Sequence, residues 1–110
     1  MRIEPSDAAV LTITASALVV ARPCILQGLI LTPSAALATV QLWEPAPVAA
    51  LLTAGNATTV GATLRIALQG AASGSSVSAA ISGSGITFNN GMIAIVTGAA
   101  ATATVVTATI

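Results

Sequence analysis

The stretch Gly85-Ile86-Thr87-Phe88-Asn89-Asn90-Gly91-Met92-Ile93-Ala94-Ile95-Val96-Thr97-Gly98, continued by Ala101-Thr102-Ala103-Thr104-Val105-Val106-Thr107-Ala108-Thr109-Ile110, decides the fold class. It holds three runs rich in β-branched residues, which suit a pleated, half-buried surface. The runs are separated at Asn90-Gly91 and at Gly98. Asn-Gly tolerates the positive φ of a type I′ turn, so the first break predicts a β-hairpin. The last run alternates Thr102, Thr104, Val106, Ala108 and Ile110 with Ala103, Val105, Thr107 and Thr109. Period two is the signature of a strand, and neither of its faces reads as fully solvated.

The same grammar extends upstream. Leu11 and Ile13 alternate with Thr12 and Thr14, and Leu18-Val19-Val20 forms a second short run before Arg22-Pro23 ends it. Proline donates nothing to a ladder and restricts the residue before it. Cys24 to Thr32 is almost continuously apolar, which predicts a strand buried on both faces. Gly28 within it signals a bulge or a close backbone approach. A further strand is expected from Ala35 to Trp43, and a short strand or helical turn over Val48 to Leu52. From Thr58 to Gln69 the alternation places Thr63, Arg65, Ala67 and Gln69 outward and Leu64, Ile66 and Leu68 inward. Gly70 to Gly74 reads as a loop, followed by a weak strand through Val77, Ala79 and Ile81. Many short strands with no helical periodicity predict an all-β fold, an antiparallel β-sandwich or jelly roll. It spans residues 8–110 as a single domain behind an aperiodic arm at residues 1–7.

Composition narrows the function classes. Hydrophobic residues make up 55% of the 110 positions and charged residues 5%, with no net charge. Ordinary domains are about a quarter charged, so part of this surface is expected to be covered by other chains. Three basic residues without a cluster exclude phosphate-driven nucleic-acid binding. The segment Met92 to Ile110 is long enough for a membrane span. Its β-branched alternation and its lack of Lys, Arg, Trp or Tyr at the edges argue against one. Two acids and Pro5 before the first apolar run do not make a signal peptide.

No catalytic constellation is legible. Histidine, lysine and tyrosine are absent. The single Cys24 cannot form an intrachain disulfide and has no base to activate it, so it reads as a small buried residue. No acid, His or Cys cluster has metal-ligand spacing, and no phosphate loop is present. No enzyme activity, cofactor or metal is expected. Trp43, the only tryptophan, suits a core or rim position or a partner contact. The arm holds three of the six charges and could order on a neighbouring subunit. The candidate partner contacts are therefore Arg2, Ile3, Glu4, Asp7 and Trp43.

Two stretches carry a resemblance. One is Ile25-Leu26-Gln27-Gly28-Leu29-Ile30-Leu31 with Ala38-Thr39-Val40-Gln41-Leu42-Trp43-Glu44. The other is Ile86-Thr87-Phe88-Asn89-Asn90-Gly91-Met92-Ile93-Ala94-Ile95-Val96-Thr97-Gly98 with Ala101-Thr102-Ala103-Thr104-Val105-Val106 of the Thr/Val-rich final strand. Together they resemble the small all-β virion proteins of tailed bacteriophages, in particular head decoration or cement proteins. The tyrosine usual near the end of the closing strand is absent here. The resemblance implies a virion subunit on the outer surface of the capsid, typically a homotrimer, bound between major capsid proteins. A phage neck, tail or fibre-base module and a receptor- or carbohydrate-binding domain are the alternative readings.

Overall fold

A computed structural model describes residues 9–32, 38–46, 52, 58–70, 76–79, 81, 85–98 and 101–109. The arm with Arg2, Ile3, Glu4 and Asp7 lies outside this set, as do residues 35–37, 48–51 and 71–74.

The described residues form nine strands and no helix. They are β1 (Ala9–Ile13), β2 (Ala17–Val20), β3 (Cys24–Thr32), β4 (Ala38–Glu44), β5 (Thr63–Gly70), β6 (Val77–Ser78), β7 (Ile86–Phe88), β8 (Met92–Thr97) and β9 (Thr102–Thr109). One sheet runs β1-β9-β3-β6, with β7 also paired to β3; the other runs β2-β8-β4-β5. Every pairing is antiparallel. The two sheets pack face to face as a β-sandwich. Leu26, Leu29, Leu31, Phe88, Ala103 and Val105 from one sheet meet Val40, Leu42, Met92 and Ala94 from the other.

Three bulges set which side chains reach that core. In β3, Leu26 pairs with Thr107 and Gly28 with Val106, so Gln27 is an extra residue. An inserted residue flips the strand's phase. Cys24 and Leu26 face inward before it, Leu29 and Leu31 after it. The continuous apolar run therefore does not mean burial on both faces. It is two alternating patterns joined out of phase, and Ile30 is 41% exposed on the outer face.

In β5, Leu42 pairs with Ile66 but Trp43 with Leu64, which makes Arg65 the extra residue. Ile66 and Leu68 face the core as expected. Leu64 does not: the bulge turns it outward beside Trp43, 43% exposed. In β2 the shift falls at Val19, and both Val19 and Val20 then pack against the core. Gly70 is not loop. It closes β5, paired with Ala38. The weak strand at 77–81 shrinks to Val77–Ser78, extended by the Ala79 amide donating to the Leu29 carbonyl at 3.0 Å.

The expected Asn90-Gly91 hairpin does not form. β7 pairs with β3 in one sheet, while β8 pairs with β2 and β4 in the other. Residues 89–91 arch from sheet to sheet. Gly91 has φ +136°, and a Cβ there would stand 2.6 Å from the Val20 carbonyl oxygen. Glycine is required because β2 comes too close for a side chain. Asn90 locks the arch by donating from Nδ2 to the Pro45 carbonyl at 3.2 Å and to Glu44 Oε2 at 3.3 Å. The break at Gly98 is likewise an arch, leading from β8 to β9 in the opposite sheet.

Candidate association surface

The outer face of the β2-β8-β4-β5 sheet carries a graded surface. Cross-strand pairing aligns Leu18, Ile93, Trp43 and Leu64 in one row. The next row is Ile95, Gln41 and Ala67, and the last is Thr97, Thr39 and Gln69. Apolar character fades along β4, and the hydroxyls of Thr39 and Thr97 hydrogen-bond at the polar end.

Trp43 stands in the apolar row. It is half-buried and lies outside the inter-sheet core, which places it at the rim, the second of its expected positions. Its Nε1 donates to Gln41 Oε1 at 3.2 Å, which satisfies the indole edge and pins the ring along the strand. Ile93, its partner on β8, is fully buried although it too is absent from the inter-sheet core. Leu52, half-buried, lies against Gly91 at this end of the sheet.

Three charged residues are described: Arg22, Glu44 and Arg65. The β5 bulge re-aims Arg65 across the sandwich edge. Its Nη2 donates to the Thr87 carbonyl at 3.2 Å, and its Nε lies 3.8 Å from Glu44 Oε1. Arg65 thus ties β5 of one sheet to β7 of the other. That lateral side of the sandwich is bridged.

The opposite side carries no such bridge among the described residues. Here β1 and β2 each end a sheet, with one neighbour apiece. A cavity of about 400 Å³ lies between them, walled by Leu11, Val19, Val20, Cys24 and Thr107, with Arg22 at its rim. Arg22 is exposed and has no charged or hydrogen-bonding partner among the described residues. Cys24 is buried, as expected. Burial pushes its thiol up to about 11, with Arg22 pulling slightly down and Glu44 slightly up. A thiol held protonated is a poor nucleophile.

Exposed large apolar side chains are spread over both sheets and a turn: Val10 at 67%, Val60 at 76%, Ile30 and Leu64. Among the described residues no group of His, Cys, Asp or Glu could hold a metal. No helix among them is long and apolar enough to cross a membrane.

Of the five residues expected to contact partners, only Trp43 is among the described ones. Sequence reasoning missed Leu64, Ile93 and Arg65, whose roles depend on the β5 bulge and the strand order. The cleft at β1 and β2 was equally hidden, because residues 11, 19, 24 and 107 are brought together only by the topology. A scan against protein-family models, a search of curated proteins and a search of solved structures each found no match to this chain.

Proposed function

We propose that this protein is a non-enzymatic structural subunit of a tailed-phage virion, a capsid decoration or cement protein that binds between major capsid proteins on the outer surface. The observation that carries the reading is a β-sandwich whose surface is apolar rather than charged. Only six charges serve 110 residues, and at the end of the Leu18-Ile93-Trp43-Leu64 row Leu64 is exposed and Trp43 half-exposed. Such a surface gains free energy by burial, at about 25 cal/mol per Å² of apolar area. Exposed ion pairs, at about 0–1 kcal/mol each, contribute little beside it. Self-association, as a homotrimer, belongs to the same reading.

The experiment is quantitative protein analysis of purified particles, joined to a binding assay on heads stripped of this subunit. A copy number in fixed proportion to the major capsid protein, with binding that survives high salt, is expected. A copy number of one small ring per particle reassigns the protein to the neck or tail. Absence from purified particles overturns the reading, and loss of most binding at high salt overturns the apolar mechanism.

A further inference from the structure

We infer that the cleft between β1 and β2 is the seat for the first seven residues of a second copy of this chain, with Arg22 taking a carboxylate from Glu4 or Asp7. The inference deepens the proposed function and rests on its self-association.

The cleft is built to be filled. The two edges of the sandwich differ: Arg65 bridges one, while the other leaves an apolar opening of about 400 Å³. The walls are the aliphatic side chains of Leu11, Val19 and Val20, with Cys24 and Thr107 at the back. Both bounding strands are edge strands among the described residues, so each presents a row of backbone groups with no described strand neighbour. An extended segment laid there could pair with one of them, the usual way a sheet edge recruits a peptide.

Charge selects the occupant. Glu44 is the only described carboxylate, and it is taken by Arg65 and Asn90. The chain has three acidic residues in all, and the other two are Glu4 and Asp7. Arg22 at the cleft rim is the described cation without a partner. Residues 1–7 hold both of these acids against a single base, Arg2, together with Ile3, an aliphatic side chain suited to the apolar wall. Their reach is ample: an extended chain spans up to ~3.5 Å per residue, roughly 25 Å for seven, and a five-residue strand such as β1 is about 17 Å long.

A neighbour's segment fits better than the chain's own. Ala9 lines the cleft itself, so the chain leaves the cleft at its mouth. Returning would require a reversal within Ser6-Asp7-Ala8, which would remove Asp7 to the turn. A segment from another copy enters without reversing. Exchange of this kind is a head-to-tail contact, and it closes into a ring when the rotation between copies allows.

Ala21, exposed at the cleft, offers a position for an accessible reporter thiol. The full chain carrying Ile3→Cys, Ala21→Cys and Cys24→Ser is oxidised with copper-phenanthroline and run on non-reducing gels, beside a control that lacks Ala21→Cys. Disulfide-linked dimers and larger species, absent from the control and reversed by reductant, are expected. Arg22→Glu should cut their yield several-fold, and Glu4→Lys with Asp7→Lys should restore it. Circular dichroism on each variant verifies that the sandwich persists. Linkage within a single chain overturns assignment to a second copy. Linked dimers that persist in the control, arising between the introduced thiols, also overturn it. A protein that self-associates without forming these links overturns the inference and leaves the proposed function standing. A protein that stays monomeric at all concentrations overturns both the inference and the homotrimer of the proposed function.

Discussion

Replacing Gly91 by asparagine separates two readings of the segment between β7 and β8. If residues 89–91 formed a type I′ hairpin, Gly91 would sit in the left-handed region, which asparagine tolerates well. The variant would then stay within about 0.5 kcal/mol of the parent, as surface substitutions do. The sheet-to-sheet arch gives a different expectation. At φ +136° only glycine is comfortable, and holding another residue in such sparsely populated backbone space costs about 1–3 kcal/mol. The new Cβ would also stand 2.6 Å from the Val20 carbonyl oxygen, a backbone atom that cannot rotate away. Relief requires moving the end of β2, which contributes Val19 and Val20 to the core. The expected loss is therefore at least about 2 kcal/mol, since steric and conformational costs fall on the same residue. For a domain near this size, each kcal/mol lowers Tm by about 4 °C, so a fall of 8 °C or more should be visible. Urea unfolding followed by circular dichroism, at two protein concentrations to hold association constant, measures it. Gly91→Asn with parental stability would refute the arch.

Three other outcomes follow from the same packing. Phe88→Ala should cost about 3–5 kcal/mol in urea unfolding, because Phe88 is fully buried between the sheets although β7 is only three residues long. Stability should fall as pH rises from about 9 to about 11, because the unfolded Cys24 thiol ionises at 9.0 while the folded one holds its proton to about 11; pH-dependent unfolding of Cys24→Ala should lack that slope. Trp43→Ala should cost clearly less stability than Phe88→Ala, since Trp43 is half-buried and lies outside the inter-sheet core, yet weaken attachment to stripped heads; equal losses of stability in the two variants would contradict its placement.

The sequence by itself determined the elements. β-branched runs, period-two alternation and the placing of Pro23 and the glycines were enough to mark strand runs at 11–14, 18–20, 24–32, 35–43 and 58–69 and three more between 85 and 110, close to the strands that form at 9–13, 17–20, 24–32, 38–44, 63–70, 86–88, 92–97 and 102–109. That information is local, because a side chain's preference for a pleated backbone is local. The bulge at Gly28 was legible for the same reason, though its consequence was not. Whether Leu64 faces the core depends on one extra residue opposite Trp43, and whether Cys24–Thr32 is buried on both faces depends on one extra residue opposite β9. Both are properties of a partner strand. Asn90-Gly91 is the sharpest case. The dipeptide announced a reversal, and a reversal occurs, but only the competition among strands for partners sends β8 to β2 and β4 instead of back onto β7. The unlike edges of the sandwich, one bridged by Arg65 and one with a cleft beside Arg22, arise from that same competition. They join residues far apart in the chain, and only the burial of a shared core brings such residues together.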